Sequence, residues 1–188
     1  MRLPCRPLAS AAVLLLAACQ AAPEATPKAA ERLYGTLAFQ PCTLTSAQAS
    51  ANVEAQCTTL QVPENPAAPD GRRIGLNIAW LGAGNDGAGN GDPVFFVAGG
   101  PGQAATEVAA PVNMALRDVR KQRDIFLIDQ RGTGKSNPLS CLDAQGKELP
   151  LDENAAPSST LIEDYARQCA QSLTGRADTR FYTTTEAI

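Results

Sequence analysis

Val94-Phe95-Phe96-Val97-Ala98-Gly99-Gly100-Pro101-Gly102 and, further along, Ile125-Phe126-Leu127-Ile128-Asp129-Gln130-Arg131-Gly132-Thr133-Gly134-Lys135-Ser136 decide how this chain reads. Each is an unbroken apolar run that enters a glycine turn. Runs of this kind fit strands covered on both faces, as in a parallel sheet. Between them, Ala109–Lys121 carries Val112, Leu116 and Val119 at near-helical spacing, with Pro111 placed where a first helical turn tolerates it. Strand, glycine turn, helix and strand predict a βαβ unit.

Upstream, Arg73–Leu81 alternates Ile74, Leu76, Ile78 and Trp80 with smaller or polar residues, the period of a strand. Cys57–Val62 and Leu33–Phe39 read as two further strands, antiparallel at the start of the sheet. Gly82–Asp92, rich in glycine, reads as a loop. Downstream, Asn137–Pro157 lacks strong periodicity. A helix follows, with Thr160 and Glu163 at capping-box spacing and Gly175 beyond its end. Leu161, Tyr165, Cys169 and Leu173 form a stripe on it that reads as core packing. Thr183–Glu186 reads as another helix start, and Ile188 falls within its first turn, which is expected of a chain cut short rather than complete.

The chain has 188 residues, 44% hydrophobic and 19% charged, which suits one globular domain with a core. A net charge of −3 and the lack of a basic run give no nucleic-acid signature. Residues 1–18 read as an export signal: Arg2 and Arg6 precede the apolar Ala9–Leu16, which is too short to span a bilayer. Leu16-Ala17-Ala18-Cys19 matches a bacterial lipobox, which predicts lipidation at Cys19 and a membrane partner through that lipid. Gln20 after the cysteine favours the outer membrane in a Gram-negative source. Residues 19–31, rich in alanine and proline, read as a tether reaching about 35 Å when extended. The domain is then 32–188.

Four cysteines follow Cys19, and an even number in an exported chain predicts disulfides. Three pairings are open; the expected one is sequential, Cys42–Cys57 and Cys141–Cys169. With no CxxC and no histidine, no metal site is expected.

Gly99-Gly100-Pro101-Gly102 can present backbone N–H groups to a developing negative charge, the task of an oxyanion hole. Gly132-Thr133-Gly134-Lys135-Ser136 has the tail of a phosphate loop, but Asp129 stands where that loop needs its first glycine. Asn137-Pro138 then opposes the helix that should follow. Asp129 and Arg131 are expected to form a structural ion pair at the turn.

Together the two blocks resemble the α/β-hydrolase proline iminopeptidase group and its exported tripeptidyl-aminopeptidase-like relatives, whose strand-HGGPG and strand-DQRG-x-G-x-S motifs occur in this order. Ala98 stands where the first motif usually has histidine; the second, Asp129 to Ser136, is complete. The resemblance covers about residues 33–188. It implies an α/β-hydrolase type sheet, with antiparallel first strands and then parallel βαβ, of which this chain would be the N-terminal part. It implies serine hydrolysis of peptide or ester bonds without a cofactor, with an oxyanion-hole amide from Gly99 or Gly100. It gives Pro101, Gly102, Asp129, Gln130, Arg131, Gly132, Gly134 and Ser136 structural roles in the motifs.

The triad is not expected in this chain. It has no histidine and no Gly-x-Ser-x-Gly, and Ser136 and Ser140 lack a base. The chain alone is therefore expected to be inactive. The competing expectation is a non-catalytic exported binding module or pseudoenzyme.

Overall fold

The computed structural model describes residues 31–46, 51–84, 91–100, 102–150 and 159–187. The expected signal segment, nearly all of the tether, Cys19 and Pro101 lie outside them. Six strands form one sheet: β1 (Arg32–Tyr34), β2 (Leu37–Thr45), β3 (Asn52–Pro63), β4 (Arg73–Leu81), β5 (Val94–Val97) and β6 (Ile125–Ile128). Their order is β1-β2-β3-β4-β6-β5.

This corrects the expected fold class. Instead of a typical α/β-hydrolase sheet, the chain forms a mixed sheet curled into a half-barrel, with few helices. Neighbours from β1 to β4, and β4 with β6, run antiparallel; β5 and β6 alone are parallel. The physical reason is the connections. Antiparallel neighbours need only short turns, while each parallel pair needs a crossover. Among the described residues one such crossover exists, from β5 to β6.

That crossover is broken into a 3₁₀ turn at Thr106–Val108, helix α1 (Ala109–Ala115) and a second 3₁₀ turn at Val119–Lys121. It is shorter as a helix than the apolar spacing to Val119 predicts. α1 packs Ala109, Ala110 and Val112 against Ala79, Leu81, Ile125 and Leu127 on one face of the sheet. The opposite face holds Phe39, Ile78, Trp80 and Phe126. Tyr34 meets Trp80 and Phe126 edge-on there, and Arg32 lies over the Trp80 ring. Successive residues of β4 thus feed opposite faces, which explains its alternation.

The expectation of two covered faces holds for β6, which is buried at Ile125, Phe126 and Leu127, but not for β5. Phe95 is 61% exposed and Val97 43%, because β5 is the last strand of the sheet.

Helix α2 (Ser159–Leu173) starts one residue before the expected cap, so Thr160 lies inside it. Gly175, at φ 79°, ends it: the amides of Arg176 and Ala177 donate to the carbonyl of Leu173. Its stripe is not core as expected. Leu173 is buried, but Leu161 is 37% exposed. A covalent link also ties the helix to the preceding segment: Cys169 is bonded to Cys141. Cys42 is bonded to Cys57 across the β2–β3 hairpin, where Cys42 faces Ala55 and Cys57 faces Gln40. The sequential pairing is the one present, and two disulfides indicate an oxidising, exported environment. The last helix, α3, is Thr184–Ala187. Among the described residues no helix is long and apolar enough to cross a membrane.

Candidate active-site loop

The chain leaves β5 through Ala98, which is buried, into Gly99 and Gly100, which are exposed. Gly100 and Gly102 adopt φ of 87° and 85°, a left-handed backbone that side chains disfavour. Gly99 has no such need. A Cβ built on Gly99, Gly100 or Gly102 would meet nothing within 4 Å among the described residues. At position 99, then, neither backbone angle nor packing among the described residues requires glycine. What its missing side chain provides is open space over the backbone.

The carbonyl of Gly100 accepts from the amide of Gln103 at 3.3 Å. The amides of Gly99 and Gly100 donate to no acceptor among the described residues. Both glycines line a cleft of about 450 Å³ with Gly102, Gln130, Arg131 and Tyr182. Two uncommitted N–H groups beside a cationic residue suit an oxygen that carries negative charge.

The loop after β6 supports this cleft from behind, and Asp129 is its hub. Asp129 is fully buried. Its carboxylate accepts from the Thr106 amide and hydroxyl, both at 2.9 Å, and from Asn77 Nδ2 at 2.8 Å. The Lys135 amide adds a longer bond of 3.3 Å. Gly134 is required here: at φ 50°, a Cβ would come within 2.5 Å of Ala104 Cβ and 2.6 Å of Asp129 Oδ2. Gly132, at φ 87°, donates its amide to the Ser136 carbonyl at 2.7 Å and accepts from the Leu139 amide. The Gln130 carbonyl accepts from both the amide and the hydroxyl of Thr133. Ser136 is fully buried, and its Oγ accepts from the Asn77 amide at 2.8 Å. That hydroxyl ties the loop to β4.

The expected Asp129–Arg131 ion pair is not formed. Arg131 turns the other way and donates Nη1 to the carbonyls of Glu64, at 2.8 Å, and Phe181, at 3.1 Å. Asp129 has no need of it, because four donors already surround its carboxylate. Arg131 instead joins the end of β3 to the segment before α3.

A second buried carboxylate completes that wall. Glu64 is 4% exposed and accepts from Tyr182 Oη at 2.9 Å and the Asp178 amide at 3.0 Å, with Arg72 Nε at 3.5 Å. Tyr182 Oη in turn accepts from Asn137 Nδ2. Burial, then the bond to the Glu64 carboxylate, pushes the Tyr182 phenol up to about 12. Tyr182 thus stays a neutral donor at the cleft edge. Further out, Arg180 bonds Asp178 through two nitrogens and holds its carboxyl below the usual range.

The structure therefore brings Gly99, Gly100, Gly102, Gln130 and Arg131 to one cleft, and puts Asp129, Gly132, Gly134 and Ser136 behind it as a frame. Sequence reasoning missed Asn77, Thr106, Glu64 and Tyr182. Asn77 had a signal, as a polar side chain within an apolar strand pattern. Glu64 and Tyr182 are 118 positions apart and gave none.

No protein-family model matches the chain, and a search of curated proteins finds no match either.

Proposed function

We propose that the Gly99–Gly100 loop is the oxyanion-binding element of a serine-hydrolase site acting on peptide or ester bonds. The observation that carries this reading is the pair of glycine amides at an open cleft that donate to no acceptor among the described residues, at a position 99 where no described neighbour requires glycine. In such a reaction a serine attacks the carbonyl carbon and the carbonyl oxygen becomes anionic. Fixed N–H donors stabilise that charge, and loss of one such donor typically raises the barrier by about 3–4 kcal/mol. The nucleophile and base would have to come from outside these 188 residues, which contain no histidine. The chain on its own is inactive in this reading. The motif resemblance and the rigid Asp129 frame support it.

Two measurements test it. Titration of isotope-labelled protein with a dialkyl phosphate, a mimic of the anionic intermediate, is expected to shift the Gly99 and Gly100 amide signals ahead of others. Unmoved signals would remove the oxyanion role. A fluorophosphonate probe is expected to leave the chain unlabelled, and stoichiometric labelling of a serine would contradict the assignment of the nucleophile elsewhere.

Attachment of lipid at Cys19, and through it residence at the periplasmic face of an outer membrane, belong to the same proposal. Metabolic labelling with a radioactive fatty acid is expected for the parent and absent in Cys19→Ser.

A further inference from the structure

Charge is unevenly distributed over this acidic chain. Asn113–Arg123 holds Arg117, Arg120, Lys121 and Arg123 against one acid, Asp118, although the whole chain carries −3. The structure gathers three of these cations around a groove of about 360 Å³, lined by Gly84, Asn113, Met114, Arg117, Arg120 and Lys121. Arg120 is held in place by bonds from Nε to the Gly82 carbonyl, 2.9 Å, and from Nη1 to Asn113 Oδ1, 2.8 Å. Arg117 is exposed and has no ion-pair partner among the described residues. Lys121 meets Asp118 at 2.7 Å, but both are solvated, so the pair is weak and easily exchanged. Arg123 bonds the Asp92 carbonyl beside the groove. Met114, 68% exposed, stands among these charges, with Val119 also exposed.

We propose that this face docks on a membrane surface of anionic phospholipid, with phosphate headgroups at Arg117, Arg120 and Lys121 and Met114 inserted at the headgroup boundary. Charge complementarity carries the proposal, together with the apolar side chain among the cations, the composition of an interfacial contact. The proposal is independent of the hydrolase reading, but its geometry bears on it. The Val94 amide bonds the Asp124 carbonyl, and the Gly84 amide bonds that of Arg120, so the basic face lies where β5 and β6 begin. The glycine loop lies where β5 ends. Docking would leave the Gly99–Gly100 cleft at the far end of the sheet, open to soluble substrate.

The test uses the full chain carrying Cys19→Ser, so that no acyl chain can attach, with and without Arg117→Glu plus Lys121→Glu. Both proteins keep residues 1–30, so their difference reports the patch. Co-sedimentation with phosphatidylglycerol-containing vesicles is expected to weaken at least about tenfold in the double variant. Binding of the parent should fall steeply between about 0.05 and about 0.5 M salt. Neutral phosphatidylcholine vesicles should not distinguish the two proteins. Equal binding of both proteins to anionic vesicles would overturn the proposal. Retention on polyglutamate without binding to anionic vesicles would also overturn it, in favour of an acidic polypeptide. If the double variant does not melt cooperatively, Arg117→Gln plus Lys121→Gln is read by the same criteria, with a smaller loss expected.

Discussion

The Asp129 carboxylate takes both the amide and the hydroxyl of Thr106, each at 2.9 Å. Asp129 follows β6, and Thr106 opens the crossover just after the glycine loop. These two bonds therefore fix the far side of that loop to the sheet, while β5 fixes the near side. The same carboxylate holds Asn77 and the Lys135 amide, so one buried charge ties β4, β6 and the crossover together.

Asp129→Ala should accordingly be among the most damaging single changes. It leaves four donors facing a void, and breaking a buried charge network in this way typically costs about 3–5 kcal/mol. Asp129→Asn keeps one acceptor oxygen but turns an NH₂ group toward existing donors, so a loss of about 1–3 kcal/mol is expected. Urea denaturation is the check, with stability expected to fall from the parent to Asp129→Asn to Asp129→Ala.

Gly99 and Gly134 should respond oppositely to alanine. At Gly134 the new methyl collides with Ala104 and with Asp129 itself, in a backbone conformation alanine resists. A destabilisation of about 2 kcal/mol or more follows. At Gly99 there is neither clash nor unusual φ, so stability should stay within about 0.5 kcal/mol of the parent. The methyl would instead crowd the cleft, and Gly99→Ala should weaken dialkyl phosphate binding. Melting curves and the amide titration separate the two effects. A strongly destabilised Gly99→Ala would mean that the loop is shaped for its own packing.

How far the sequence revealed this arrangement depended on range. β4, β5 and β6 appear with the bounds their apolar periods predict, because those patterns are local. The cysteine pairs follow the sequential expectation. The sheet class was misread because two local βα signals do not say how many crossovers the rest of the chain contributes. One parallel pair among antiparallel neighbours makes a mixed sheet. The Asp129–Arg131 pairing failed for a related reason. Closeness in sequence suggested an ion pair, while the carboxylate found Asn77 and Thr106, 52 and 23 positions away. Partners at such distances leave no periodic trace.

The two disulfides should differ in what their loss releases. Their loops span 15 and 28 positions, for which chain entropy predicts about 3 and about 3.5 kcal/mol. Cys42–Cys57 crosses a hairpin already bound by a ladder of backbone bonds, so Cys42→Ser with Cys57→Ser should lower global stability while leaving the strands paired. Cys141–Cys169 instead holds a helix that is largely exposed. Cys141→Ser with Cys169→Ser should leave the sheet protected and abolish hydrogen-exchange protection across residues 159–173. Loss of protection in the sheet as well would show that α2 contributes to the common core.

Tyr182 predicts an alkaline limit. Its folded pKa, about 12, lies above the ordinary value of 10.0, so the folded state holds the phenolic proton more tightly than the unfolded chain does. The sign follows from linkage: the contribution is fully present below about pH 10 and is lost as pH rises through about 12. The ionised phenolate could no longer donate to Glu64, and it would face that carboxylate as a second negative charge. Stability of the parent should therefore drop between pH 10 and 12 relative to Tyr182→Phe. Below pH 10 Tyr182→Phe is expected to be the less stable protein, by about 1–2 kcal/mol, for the lost bond and the buried carboxylate left short of a donor. Parallel alkaline profiles for the two proteins would show that the Tyr182–Glu64 contact does not persist in solution.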